Sequence, residues 1–307
     1  MLVPVKVAVC QLDTRTGQVD ENVGLALSVG ERAIASGAQY ILFHENMVHE
    51  YPRNAAEVAE PAPGSVTDRF AAFCQRHRVC IGFGMTMRPR ERGVAASSLR
   101  PPLAGVGGVG PAESLRAEPR PFGSARGRPF NAAVFINSAG EIAATYAKRN
   151  LVRRAGMVAY MQQREGRPIE LTGCDGLVDD EVFQPGWGDV VFDWDGVRAG
   201  ALICADTSRA EFWKAIKERG ATAAFCPFNN PGLRYYHPRI LDPVREFGLY
   251  FIGANRVGSY PMGLPGRGQS LIADPGGNVL ADCAGQINTF AVADLPIRSV
   301  NKSAQQG

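Results

Sequence analysis

Two tight-turn signals limit what this chain can fold into. Asp195-Gly196 lies between the apolar runs Val190–Trp194 and Val197–Cys204, and Ser138-Ala139-Gly140 lies between Phe130–Asn137 and Glu141–Ala147. An Asp-Gly pair between strand-length runs favours a two-residue hairpin, because its central residues tolerate positive φ. A short Gly-containing connection acts in the same way. Both strand pairs are therefore expected to be antiparallel, which excludes a sheet made only of parallel βαβ units. Elsewhere, strand-length runs alternate with segments of helical period. Val5–Cys10, Val79–Met87, Thr222–Cys226, Tyr250–Asn255, Ser270–Ala273 and Val279–Asp282 read as strands. Val23, Ala26, Leu27, Gly30, Ala33 and Ile34 recur at helical spacing before Gly37. Ser65-x-x-Asp68 opens a helix to Arg76, the capping box Ser208-x-x-Glu211 opens another to Arg219, and a third is predicted near Arg239–Phe247. Hairpins mixed with helices predict an α/β chain whose sheets pack on each other with helices outside.

At 307 residues and 45% hydrophobic content, the chain can build one large core or two modest ones. The segment Arg88–Arg128 stands apart, with eight arginines, three glutamates and no apolar periodicity, and reads as a long surface loop. Within it, Gly105-Val106-Gly107-Gly108-Val109-Gly110 matches a dinucleotide fingerprint in letters only. No strand leads into it and Pro111 follows, so no nucleotide cofactor is expected. The net charge of +3 is small and concentrated in that loop, which argues against a nucleic-acid partner. Seven irregularly spaced cysteines without C-x-x-C, and four histidines away from ligand spacing, predict neither a disulfide framework nor a metal site. The N-terminus runs straight into a strand and no apolar window is long enough to span a bilayer, so a cytoplasmic protein without membrane association is expected.

Three strand-like runs end in groups with complementary chemistry. Val197–Cys204 ends in a thiol just before a helix start, Tyr40–His44 leads into Glu45, and Glu141–Ala147 leads into Lys148. A free thiol has a pKa near ~8.5, so attack at neutral pH needs activation. Glu45 can accept the thiol proton and later deliver it to a leaving amine. Lys148 can stabilise the oxyanion, with the backbone N–H of Ala205 as a second donor. Cys10 and Cys226 also end strands, but no comparable motif surrounds either.

Phe43-His44-Glu45-Asn46, Tyr146-Ala147-Lys148-Arg149-Asn150-Leu151 and Leu202-Ile203-Cys204-Ala205-Asp206 resemble, in order, the catalytic motifs of the nitrilase superfamily, the carbon–nitrogen hydrolases with a Glu-Lys-Cys triad. Phe183-Gln184-Pro185-Gly186, Ala254-Asn255-Arg256-Val257-Gly258 and the run from Gly268 to Gly277 extend the resemblance over residues 4–295. His44 replaces the usual Pro, and Asn150 stands where His is common. The resemblance implies a four-layer α-β-β-α sandwich in one domain over residues 1–296, with 88–128 as an inserted loop and 297–307 as a C-terminal tail. It also implies a homodimer and catalysis without a cofactor.

The implied activity is hydrolysis of a non-peptide C–N bond in a small amide or N-carbamoyl compound, with ammonia released through a covalent Cys204 intermediate. An acyltransferase would use the same triad with an amine in place of water. A nitrilase is disfavoured by Ala205-Asp206, where nitrile-cleaving members usually have Trp-Glu. A scaffold that binds an acidic partner through the Arg-rich loop is the non-enzymatic alternative. Many amidase-type members carry a second Glu before the Pro-Gly turn. Glu181 stands five residues before Gly186, as in aliphatic amidases, Asp179 seven before it, as in carbamoyl hydrolases but one methylene shorter, and Asp180 between them; Glu181 is favoured because it alone keeps both the residue type and a family spacing. For the substrate, Arg209 is a candidate for a carboxylate, since a guanidinium can bind both oxygens; carbamoyl hydrolases carry two arginines here, and Ser208 takes the place of the first. Asn229, just past the Cys226 strand, is a candidate for offering its amide to substrate.

Overall fold

The computed structural model describes residues 2–52, 54–88, 127–166, 168, 178–188, 190–230, 238–259 and 265–299. Most of the Arg-rich segment, including Gly105–Gly110, and the end of the expected tail lie outside the described residues. The first part of the chain runs β1 (Leu2–Gln11), α1 (Val19–Ala35), β2 (Tyr40–Leu42), α2 (Ala55–Val58), α3 (Ser65–His77), β3 (Cys80–Met87), β4 (Phe130–Ile136) and β5 (Ile142–Ala147). It continues through α4 (Arg154–Glu165), α5 (Asp179–Val182), β6 (Val191–Trp194), β7 (Val197–Ala201), α6 (Ala210–Glu218) and β8 (Ala223–Pro227). The last elements are α7 (Pro238–Phe247), β9 (Tyr250–Ala254), β10 (Val257–Ser259), β11 (Pro265–Arg267), β12 (Leu271–Ala273), β13 (Val279–Asp282) and β14 (Thr289–Ser299).

The strands order as β5-β4-β3-β2-β1-β14 on one side and β7-β8-β9-β12-β13 on the other, with β6 paired to β7. β3–β4, β4–β5 and β6–β7 are antiparallel, as the turn residues require. β1–β2–β3 and β7–β8–β9 are parallel. The two halves are hydrogen-bonded to each other through one register pair, Arg298 with Val197. They stack face to face. Trp194 from β6 lies 5.3 Å from the rings of Tyr40 and Phe135 and 5.0 Å from Phe225, and its indole N–H donates to Ile136 O at 2.9 Å.

Side-chain alternation along the strands builds the layers. Val5, Val7 and Val9 face the inter-sheet core with Tyr40, Leu42 and Phe135. Ala8, Cys10, Ile41, Phe43, Ile81 and Phe83 face the other way, against α1 and α3. On the far side, Trp213 and Ile216 of α6 and Ile240, Leu241 and Val244 of α7 cover the second half-sheet. The result is the expected α-β-β-α sandwich. Among the described residues, no helix is long and apolar enough to cross a membrane.

Several elements depart from the sequence reading, which places none of α2, α4, α5, β10 and β11. β7 ends at Ala201, and Cys204 opens a separate 3₁₀ turn, Cys204–Ser208, instead of closing the strand. α6 starts at Ala210 with Arg209 as its N-cap, and the Ser208 hydroxyl donates back to Ala205 O at 2.8 Å, so Ser208 caps no helix. β14 was not expected, and it runs through the start of the supposed tail to Ser299, paired with β1 from Leu2↔Ser299 to Gln11↔Thr289.

Gly84 of β3 passes directly under the segment after β2. A Cβ there would lie 2.2 Å from Asn46 N and 2.7 Å from Glu45 Cα. Gly84→Ala is therefore expected to destabilise the fold by about 1–3 kcal/mol, the usual cost of overpacking, as measured by urea unfolding. Displacement of Glu45 should cost activity as well.

Candidate active site

Glu45 follows β2, and its backbone N–H donates to Phe228 O at 3.1 Å, which ties it across to the end of β8. Lys148 follows β5, with its N–H on Asn131 O at 2.8 Å and its carbonyl accepting from Gly186 N at 2.8 Å. Both side chains are fully buried. Lys148 Nζ lies 2.7 Å from Glu45 Oε1 and 2.6 Å from Asp179 Oδ2. Burial alone would lower the Lys148 pKa, but Asp179 and Glu45 outweigh it and hold the ammonium well above its ordinary value. An ammonium has three donors. Two are spent on these carboxylates, which leaves one for a third oxygen.

Cys204 sits beside this cluster, 7% exposed and at φ +43°. A non-glycine residue in the left-handed region costs energy unless its surroundings hold it there. Here they do. Asp206 accepts from Ile203 N at 3.0 Å, Asn150 N at 2.8 Å, Arg149 N at 3.2 Å and the Tyr146 hydroxyl at 2.8 Å. The Thr207 hydroxyl donates to Cys204 O at 2.7 Å, which pins the peptide whose N–H belongs to Ala205. The Ala205 carbonyl in turn accepts from Asn150 Nδ2 at 2.7 Å. Burial pushes the Cys204 thiol up and Glu45 adds to this, while Lys148 offsets only part. The free thiol is thus protonated at rest and needs a proton acceptor. Cys10 and Cys226 are buried and raised by desolvation as well; Cys283 adds to the first, and Cys204, Asp206 and Glu45 of the cluster add to the second.

The geometry does not bring Glu181 into the cluster. Glu181 points outward, half-exposed, with its two carboxylate oxygens held at 2.7 Å by Nε and Nη2 of Arg154. Asp179 is the acid that turns inward, fixed by Val152 N at 2.9 Å and paired with Lys148. Its shorter side chain reaches because α5 carries its backbone close to the ammonium. Arg209 is exposed at the N-cap of α6, outside the buried cluster. The Asn229 amide nitrogen is engaged within the protein, 3.1 Å from Glu50 Oε2 and 3.5 Å from Glu45 O. Its backbone N–H donates to Glu45 Oε2 at 2.8 Å.

Two members of the cluster escaped the sequence reading. Asn131 Nδ2 donates to Glu45 Oε1 at 2.7 Å and lies 3.3 Å from the Tyr51 hydroxyl and 3.4 Å from Asp179 Oδ1. Tyr51 is buried, packed edge-on against Phe183, and burial together with Glu45 and Asp179 raises its phenol well above the ordinary value. The available signal was Asn131 itself, a lone amide in the otherwise apolar strand Phe130–Ile136.

Known proteins resemble this chain in sequence and in fold. The family model described as carbon-nitrogen hydrolase matches residues 6–305. An "(R)-stereoselective amidase" from Pseudomonas sp is 32% identical over 117 residues, which cover 38% of this chain and 42% of that protein. A "2-oxoglutaramate amidase" from Bacillus subtilis (strain 168) is 31% identical over 129 residues, 40% of this chain and 49% of that protein. The chain thus matches less than half the length of each of these curated relatives. An amidase from Nesterenkonia AN1, described as a member of the nitrilase superfamily, superposes with a TM-score of 0.69 at 18% identity, covering 96% of this chain and 92% of that one. Another structure of that amidase, with the acetamide moiety of fluoroacetamide covalently added at its active-site cysteine, gives a TM-score of 0.69 at 20% identity, covering 96% and 93%.

The two acids of α5 separate cleanly by experiment. Asp179→Ala is expected to lower kcat/KM at least ~100-fold, because Lys148 loses a buried partner and its aim. Glu181→Ala, which breaks only a half-exposed ion pair, should stay within about twofold of wild type. Steady-state kinetics on the two variants checks this.

Proposed function

The chain belongs to the carbon–nitrogen hydrolase family, and within it we propose an amidase that needs no cofactor and cleaves a small amide or N-carbamoyl compound with release of ammonia. One observation carries the reading: a buried ammonium bridges two carboxylates beside a buried thiol at positive φ. In the proposed mechanism Cys204 Sγ attacks the carbonyl carbon while its proton passes to Glu45. The total charge of the site is unchanged, and negative charge moves toward sulfur and substrate oxygen, where Lys148 stands. The oxyanion takes the third donor of Lys148 and the Ala205 N–H. Glu45 then returns the proton to the departing nitrogen, the C–N bond breaks, and ammonia leaves an acyl thioester on Cys204. Water attacks the thioester and gives a proton to Glu45. The C–S bond breaks, and the sulfur recovers that proton.

Amidase names among the relatives support the amide as substrate. The N-carbamoyl branch draws support from Asp179, which lies seven residues before Gly186, the spacing the resemblance gives for carbamoyl hydrolases. Arg209, exposed five residues after the nucleophile, is the proposed carboxylate contact at the mouth. Free thiols at the described cysteines 10, 74, 80, 204, 226 and 283 fit a reducing cytoplasm. A homodimer, implied by the resemblance, completes the reading, and sedimentation velocity tests it.

Ammonia release from a panel of small amides, N-carbamoyl amino acids and nitriles tests the function. Cys204→Ala is expected to retain less than ~1% of the wild-type rate while keeping the fold; activity above that level removes the covalent mechanism. Arg209→Ala is expected to raise KM for carboxylate-bearing substrates far more than for their neutral analogues. Equal effects on both would leave Arg209 with no substrate contact.

A further inference from the structure

Behind Glu45 lies a second buried ionic cluster that the proposed mechanism does not use. Glu50, 5% exposed, receives a hydrogen bond from the Thr14 hydroxyl and lies 2.8 Å from His44 Nε2 and 3.1 Å from Arg256 Nε. Burial alone would raise the Glu50 carboxyl, but Arg256 and the hydrogen bonds from His44 and Thr14 hold it below the ordinary glutamate value. Arg256 is itself anchored, donating from Nη2 to Thr14 O at 2.8 Å and to Ser259 O at 3.1 Å. A fixed anion of this kind is costly to bury. Its remaining reach toward the site is specific: Glu50 Oε2 accepts from Asn229 Nδ2 at 3.1 Å.

Asn229 is the junction between the two clusters. Its main-chain N–H donates to Glu45 Oε2 at 2.8 Å and also acts on the Cys204 thiol, against the upward pull of burial. On the other side of this peptide, Phe228 O accepts from Glu45 N, and Asn255 holds Asn230 through Oδ1 at 2.9 Å and Nδ2 at 3.0 Å. The segment 228–230 is thus clamped from three directions, and Glu50 supplies the clamp on the residue that faces both the base and the nucleophile.

We propose that Glu50 is a positioning residue: through the Asn229 side chain it fixes the main-chain N–H that orients Glu45 toward Cys204. This rests on the amidase reading above for the roles of Glu45 and Cys204. His44, where the family resemblance has proline, supports the same anion, so this chain spends an otherwise apolar position on holding it. Proton transfer between Sγ and Oε requires both at hydrogen-bond range, and a drift of one ångström in Glu45 is enough to slow it greatly.

The test compares Glu50→Asp, Asn229→Ala and their double variant, each in the full chain. Glu50→Asp keeps a buried anion for Arg256 but withdraws it from Asn229 by one methylene. Asn229→Ala keeps the main-chain N–H and removes the side chain that Glu50 holds, together with its 3.5 Å contact to Glu45 O. Each single variant is expected to lower kcat about tenfold, the worth of one hydrogen bond to a charged group, with KM within about twofold. The double variant should lose no more than the worse single, because both act through one contact. The rate of Cys204 alkylation by iodoacetamide, read by mass spectrometry with Cys204→Ala as blank, should fall in the same order. That readout needs no substrate, so it decides the proposal even if the panel yields no ammonia and the amidase reading fails. Thermal melting confirms that the variants are folded. Folded single variants with alkylation rates within twofold of wild type, or losses that multiply in the double variant, would overturn the assignment.

Discussion

A lysine ammonium with almost no access to water is the constraint around which this molecule is arranged. Burying an unpaired cation costs several kcal/mol even after relaxation, so Lys148 can exist only where carboxylates meet it. Glu45 arrives from the end of β2 and Asp179 from α5. One ammonium between two carboxylates leaves a surplus negative charge, and that surplus needs donors in turn. Asn131 from β4, Val152 before α4 and Asn229 after β8 provide them. Each of these segments is therefore committed to one place by the satisfaction of a single charge, and the loops around the site become as determined as the strands.

The same region concentrates backbone strain. Asn46, Glu50 and Tyr51 in the segment after β2, and Cys204 after β7, all take positive φ without being glycine. Each such residue costs roughly 1–3 kcal/mol unless its neighbours over-determine it. The four donors on Asp206 and the Thr207 bond on Cys204 O do this for the Cys204 turn, and the Glu50 cluster does it for the segment after β2. Stability is thus exchanged for geometry in the two segments that carry Glu45 and Cys204.

Much of this was legible in the sequence, for reasons that can be named. The hairpins at Asp195-Gly196 and Ser138–Gly140 were local, and local turn chemistry survives into the fold. Glu45, Lys148 and Cys204 stood out because each followed an apolar run, and burial of those runs brings their ends together. β14 was missed because Thr289–Ser299 is mostly half-buried and carries Asp294 and Pro296, which weaken a strand signal. Pro296 is accommodated opposite Pro4, beside a register shift in β1, and that fact exists only once the two strands meet. Glu181 lies outside the cluster, and Asp179 within it, for a similar reason. Residue type and spacing favoured the longer acid, but which side of a four-residue helix faces inward is set by Lys148 and Val152, contributed from elsewhere in the chain.

β14 has a consequence for how such a chain is made. It covers the free edge of β1 in the middle of the sheet, yet it is the last strand in chain order. At ribosomal speeds of ~5–20 residues per second, β1 waits on the order of tens of seconds for its partner. Throughout that interval an apolar strand edge is open to the wrong neighbour, including another nascent copy. The edge of β1, more than any surface of the finished fold, is thus where mispairing of this chain would begin.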